Sequence, residues 1–397
     1  MFRLIAAAAM VVLVSSVHAQ EVVLKVHHPV PTSGTGHKKV VEPWCDKIAA
    51  ESKGKLKCQI FPSMQLGGTA PQLYDQVKDG VVDVIWTIPN YSAGRFPLIE
   101  VFELPFAAQD AEGASKAVWS YVEQHDAAEF KDVKPLAFHL HGGGQFHMIK
   151  KPIVKRADLR GLKVRAPTRQ TNKFIAALGA TPVGMPIPQV AEALSKGVID
   201  GALLPYEVLP AVKADELTHF HSGPAVGEPA IYNSVFLLAM NKAKYESLPP
   251  DLRKVIDANS GIALSGQIGR IFADAETEVR ARLPASSINN ISKSEIESWK
   301  PEVQQVTDGW ASEASAKGAE GKGLLEAAKT LIKKFSRQLG AGAGNGRFRP
   351  QPAVRSSPKR PFNGWKQTLG YCDDVRHKPD KSLPFLAVSV ENYVQGS

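Results

Sequence analysis

The segment Gly161-Leu-Lys-Val-Arg165-Ala-Pro167 constrains this chain more than any other, because it leads directly into Ala177-Leu-Gly-Ala180, Pro182, Met185 and Ala193-Leu-Ser-Lys-Gly-Val-Ile-Asp200-Gly201. It reads as a short alternating strand with one arginine, a helix closed by Gly179, a second strand start, and a helix closed by Gly197. Such a βαβα unit belongs to a parallel sheet covered by helices. Alternation puts Leu162 and Val164 on one face of the strand and Lys163 and Arg165 on the other. A lone strand arginine is ordinarily solvated or paired with a neighbouring acid, so spacing alone leaves the role of Arg165 open.

The N-terminal part repeats the pattern. Glu21–Val26 alternates as a strand, Pro43–Ala50 is an amphipathic helix, and Leu56–Pro62 is a strand with a proline stop. Gln65-Leu-Gly-Gly68 opens a helix that ends at Asp79-Gly80, and Val81–Trp86 is an apolar run suited to a buried parallel strand. An aromatic helix is expected around Trp119–Phe130. Pro135–His141 is a strand leading across to the βαβα unit, 225–240 cross back, and Pro250–Leu283 is long enough for one extended helix bracing both halves. The expected fold is a doubly wound α/β clamp of two lobes, 20–143 plus 229–269 and 144–228 plus 270–335, joined by hinge crossings. The glycines of Gly142-Gly-Gly144 suit the bend of such a hinge.

Both ends stand apart. Arg3, an apolar run from Leu4 to Val14 and Val17-His18-Ala19 read as a cleaved signal peptide over 1–19, since the run is about half the roughly 20 residues a bilayer span needs. No later segment approaches 18 apolar residues, so an exported, non-inserted periplasmic protein is expected. The net charge of +9 resembles a nucleic-acid signal, yet ten basic and four acidic residues fall after Ser336, so the last 61 residues carry +6 of it. That distribution argues against a nucleic-acid partner. The glycine- and proline-rich stretch 336–397 is expected to be a disordered tail.

In an oxidising compartment Cys45 and Cys58 either pair locally or remain two buried thiols, and Cys372 is left over. The histidines raise a rival reading. His139, His141 and His147 lie around one strand and loop, where H-x-H can place two imidazoles on one face of an exported metal-dependent enzyme. No acid occurs between Asp132 and Asp158 to complete that site, and no serine-nucleophile elbow, P-loop or H-E-x-x-H helix is present. No cofactor, metal or catalytic residue is expected.

The order and spacing of Arg165-Ala-Pro, Ala-Leu-Gly-Ala, Pro-x-x-Met and Gly-Val-Ile-Asp-Gly resemble the solute-binding proteins of tripartite ATP-independent periplasmic (TRAP) transporters, the DctP family, over about residues 22–335. The resemblance implies a ligand receptor without catalysis. It implies that Arg165 grips the carboxylate of a small organic acid, and that the partners are the small and large membrane permease subunits. A ligand sensor would share the same fold. Many relatives carry a second arginine where this chain has Gln145, and polar residues where it has Ala202-Leu203-Leu204-Pro205-Tyr206. The expected ligand is therefore a monocarboxylate with an apolar or aromatic body, a 2-oxo or 2-hydroxy acid among the options. Trp86, Tyr91, Ile187, Tyr206 and Phe236 are candidates to face that body. His28, Asn90, Arg95, Gln145, Thr168 and Asn233 are the polar candidates.

Overall fold

The computed structural model describes residues 21–342; the expected signal peptide and most of the expected tail lie outside the described residues. The strands are β1 (Val22–His27), β2 (Leu56–Phe61), β3 (Val84–Thr87), β4 (Val133–Leu140), β5 (Gly144–Met148), β6 (Lys163–Ala166), β7 (Thr181–Gly184), β8 (Gly201–Pro205), β9 (Phe220–Gly223), β10 (Val235–Asn241) and β11 (Ile288–Asn290). The helices are α1 (Glu42–Glu51), α2 (Leu73–Lys78), α3 (Ala111–Tyr121), α4 (Arg169–Ala177), α5 (Val190–Ser195), α6 (Ala214–Leu217), α7 (Lys242–Ser247), α8 (Pro250–Ala258), α9 (Ile262–Arg280), α10 (Lys293–Ser298), α11 (Lys300–Ala316) and α12 (Gly321–Gly342).

Two sheets divide these strands. The first has the order β2-β1-β3-β10-β4, with β2, β1 and β3 parallel and β10 antiparallel to both of its neighbours. The second runs β11-β9-β5-β8-β6-β7. There β8, β6 and β7 are parallel, while β5 is antiparallel to β8 and β9. The chain passes from the first sheet to the second between β4 and β5, through Gly142 and Gly143, and returns between β9 and β10. These are the two lobes and hinge crossings of the clamp.

The βαβα unit forms as its punctuation requires. Gly179 and Gly197 close α4 and α5 with φ of +94° and +66°, a region costly for residues with a Cβ. Val164 and Arg165 are both buried, because β6 has strands on both sides and helices over it.

Three expectations need correction. The stretch 250–283 is two helices rather than one, broken at Asn259–Gly261. Gly261 adopts φ +89° with its N–H donating to Leu136 O at 2.7 Å, and Trp44 Nε1 donates to Asn259 O at 2.9 Å. Contacts from distant β4 and α1 set that break. The helix expected near Trp119–Phe130 starts earlier, at Ala111, because the Asp110 carboxylate accepts from the N–H groups of Glu112 and Gly113. Finally, α12 continues to Gly342, past Ser336 where the tail is expected to begin, and it packs on α3.

Cys45 of α1 and Cys58 of β2 form a disulfide. No helix among the described residues is long and apolar enough to cross a membrane.

Candidate ligand-binding cavity

Arg165 is 2% exposed, on a strand flanked by β7 and β8. Its Nε donates to Met185 O at 3.0 Å and its Nη1 to Leu203 O at 2.8 Å, which fixes the plane of the guanidinium. Among the described residues no carboxylate lies within ion-pair distance of it, and Nη2 takes part in neither carbonyl bond. A buried cation without a counter-charge is costly, and burial strengthens its attraction for an incoming anion. A planar carboxylate suits the remaining donors.

The cavity around it lies between the two sheets. Trp86, Ile88 and Tyr91 reach it from β3 and the turn beyond, Tyr232, Ser234 and Phe236 from the start of β10, and Ile187, Leu204 and Glu207 from the second sheet. Phe272 of α9 joins Trp86 and Phe236 in its lining. The cavity and its mouth enclose about 560 Å³ of unoccupied space. A single small ring is the scale of body it suits.

One wall is aromatic by construction. Trp86 stacks on Phe236 with centroids 4.8 Å apart and lies 6.1 Å from Phe272. Its Nε1 donates to His139 Nε2 at 2.9 Å, so the one polar atom of the indole is satisfied and the ring can line a cavity without cost. Gly36 lines the same cavity against the six-membered ring of the indole, where a Cβ would lie 2.3 Å from a ring carbon.

The histidines are committed elsewhere. His139 uses Nε2 for Trp86 and Nδ1 for Leu140 O. His141 donates from Nδ1 to Gly142 O and accepts Ser234 N–H at Nε2. His147 bridges His221 at 2.8 Å and Leu204 O at 3.0 Å. Burial lowers all three, to about 3, 4 and 3, so each is neutral at neutral pH. With both ring nitrogens in use, these side chains do not assemble the metal site that H-x-H spacing allows. Among the described residues no group of three or more acids, histidines or cysteines could hold a metal ion.

Of the candidates drawn from sequence, Arg165, Trp86, Tyr91, Ile187 and Phe236 come together at this cavity. The others fall elsewhere. Gln145, Tyr206 and Asn233 line an adjoining cavity beside the hinge. There Gln145 folds back to donate to Gly143 O at 3.2 Å, and Asn233 Nδ2 donates to the carbonyls of His141 and Gly142 at 3.1 and 3.2 Å. Space next to the start of β5 is taken by the Tyr232 ring, which approaches to within 2.0 Å of where a Cβ on Gly144 would stand. Asn90 and Thr168 face the Glu103 carboxyl, which burial and the neighbouring Glu100 push up to about 8. His28 is tied to His37 at 2.9 Å, and His37 to Glu42 at 2.9 Å. Arg95 is a surface residue in a two-pronged pair with Asp75 at 2.7 and 2.8 Å.

Sequence reasoning missed Tyr232, Ser234, Glu207 and Phe272. Phe272 carries a legible signal, the Ile268–Phe272–Ala275 stripe that α9 turns inward. The other three sit in short irregular stretches beside β8 and β10 with no period to mark them.

Comparison with known proteins agrees with this geometry. A TRAP solute-binding protein from Rhodoferax ferrireducens T118, in complex with copurified benzoate, is 47% identical, with a TM-score of 0.79 over 80% of this chain and 99% of its own. A marine metagenome TRAP solute-binding protein, described as specific for aromatic acid ligands and bound to metahydroxyphenylacetate, is 44% identical, with a TM-score of 0.77 over 79% of this chain and 99% of its own. One from Bordetella bronchiseptica with bound (R)- and (S)-mandelate is 26% identical, with a TM-score of 0.73 over 79% of this chain and 99% of its own. Residues 26–313 match the DctP model of bacterial extracellular solute-binding proteins, family 7, and this chain belongs to that family.

Proposed function

We propose that this chain is the periplasmic solute-binding subunit of a TRAP transporter, and that it captures an aromatic monocarboxylate and delivers it to the small and large membrane permease subunits. The observation that carries this reading is the pairing of a buried, acid-free guanidinium at Arg165 with the Trp86–Phe236–Phe272 wall in one ring-sized cavity. Three relatives that match nearly their whole length to this chain hold benzoate, a hydroxyphenylacetate and mandelate, all aromatic acids with one carboxylate.

The ligand's carboxylate takes the free edge of Arg165 beside the Tyr91 hydroxyl, and its ring lies against the indole. Affinity for the closed arrangement of the two lobes then drives closure, because the cavity walls come from both sheets. Sugar acids fit poorly, since most of their several hydroxyls would face aromatic carbon. Dicarboxylates lack the second arginine that Gln145 replaces.

The test is a thermal-shift and calorimetric screen of the mature protein against benzoate, mandelate, aliphatic mono- and dicarboxylates, sugar acids and divalent metals. At a hundredfold excess over Kd a specific ligand stabilises by about 2.7 kcal/mol, a shift of several degrees. Stabilisation confined to aromatic monocarboxylates is expected, and a response only to sugar acids, dicarboxylates or metals would overturn the reading.

A further inference from the structure

The cavity is also lined by a buried carboxyl group, Glu207, and the ligand's carboxylate does not account for it. Glu207 lies two residues beyond β8 and is 6% exposed. It is not within ion-pair distance of Arg165, so the two charges do not neutralise one another. Its backbone N–H is held by Glu276 Oε2 at 3.1 Å, which fixes where the side chain starts. Among the described residues the carboxyl meets one side-chain hydroxyl, that of Thr35, which lines the same cavity from the first sheet's side. Burial pushes the group up to about 7.

We infer that Glu207 is a specificity-determining residue that accepts a hydrogen bond from a hydroxyl on the ring of the bound acid. This deepens the aromatic-acid reading and rests on it. The two polar ends of the cavity make different demands. Arg165 has donors and no acceptor, so it takes a carboxylate. Glu207 offers acceptor oxygens where water is squeezed out once a ring fills the space.

An unsubstituted ring leaves that carboxyl desolvated without a full set of partners, which costs binding. A ring hydroxyl donates to it and removes the cost. A second ring carboxylate would have to give up its hydration beside Glu207, which costs binding, and is rejected. A site built to hydrogen-bond a hydroxyl discriminates strongly against analogues lacking it, because its own polar group is then left unpaired. The cavity therefore ranks hydroxybenzoates above benzoate, and benzoate above benzenedicarboxylates.

The experiment is calorimetric titration of the mature protein and two variants with benzoate, 3-hydroxybenzoate, 4-hydroxybenzoate and benzene-1,3-dicarboxylate. For the unaltered protein at least one hydroxybenzoate is expected to bind tenfold or more tighter than benzoate, and the dicarboxylate tenfold or more weaker. In Glu207→Met, which keeps length and removes the acceptor, the ratio of hydroxybenzoate to benzoate affinity falls below threefold, whatever the change in benzoate affinity itself. Glu207→Gln restores part of the advantage, since its amide oxygen still accepts. A purely packing role would shift all ligands together and leave the ratio alone. Benzoate binding with no hydroxyl advantage, or an advantage that survives Glu207→Met, overturns the inference and leaves the aromatic-acid reading intact. Failure of every aromatic carboxylate to bind the unaltered protein overturns both.

Discussion

The backbone N–H of Ile187, just past β7 in the second sheet, donates to the hydroxyl of Tyr91, just past β3 in the first, at 3.2 Å. This bond ties the two lobes together across the cavity mouth. Tyr91→Phe removes it while keeping the ring, at a cost of about 1 kcal/mol or roughly fivefold in affinity. Stopped-flow measurement with benzoate should find that loss in the dissociation rate, because the bond forms on closure. An unchanged dissociation rate would mean that the contact does not report closure.

Arg165→Ala is expected to weaken benzoate binding by more than about a hundredfold, since a buried carboxylate loses its only cationic partner, at a cost of about 3–5 kcal/mol. Arg165→Lys keeps the charge but cannot hold Met185 O and Leu203 O together with the ligand, so it recovers only part of the affinity. Calorimetry on both variants, with circular dichroism to confirm the fold, checks this. Retention within tenfold in Arg165→Ala would remove the arginine from its assigned role.

Gly36→Ala tests the indole wall. The added Cβ would meet Trp86 carbons at 2.3–2.8 Å, so the ring or the turn must shift, at about 1–3 kcal/mol of overpacking. Binding should weaken tenfold or more, with a change in tryptophan emission. Unaltered affinity would show that Trp86 does not border the ligand.

Stability should have a plateau between about pH 4.5 and 6.5. His28, His139, His141, His147 and His221 are lowered to about 3–4 from 6.5, so below 6.5 the unfolded chain binds more protons and acid destabilises. Glu103, Glu129, Glu207 and Glu276 are raised to about 7–8 from 4.5 and Asp126 to about 9 from 3.8, so between those values the folded chain holds more protons and alkali destabilises. The two effects oppose each other from 4.5 to 6.5. Below 4.5 the histidines act together with ion-paired carboxylates such as Asp75, lowered to about 2, and above 6.5 the raised acids act. Melting temperature against pH should therefore fall on both sides, and a monotonic rise to pH 8 would contradict the buried neutral carboxyls.

Reduction of Cys45–Cys58, which closes a loop with a sequence separation of 13, should cost about 3 kcal/mol of stability. Benzoate affinity should be unaffected, as neither cysteine borders the cavity. Melting and titration with and without reductant measure both.

The βαβα unit was legible because local rules set it: alternation made β6, and Gly179 and Gly197 ended α4 and α5. The break at Gly261 was not, since it depends on Leu136 and Trp44, which are far away in sequence. The same division holds at the cavity. Arg165 lies on a strand whose alternation marks its face, and Trp86 ends an apolar run that reads as a buried strand. Gln145 and Asn233 lie at the hinge, where the bend of the backbone decides which cavity a side chain enters, and Arg95 is claimed by Asp75. Glu207 and Tyr232 occupy irregular segments placed only by packing.

Because β10 is inserted between β3 and β4 after the chain has already built most of the second sheet, neither lobe is one continuous stretch of gene. A single crossover cannot exchange one lobe for a relative's, so recombination is a poor route to a new ligand. New specificity must come through substitutions at the cavity itself, which leaves the clamp and its exterior free to stay the same while the cargo changes.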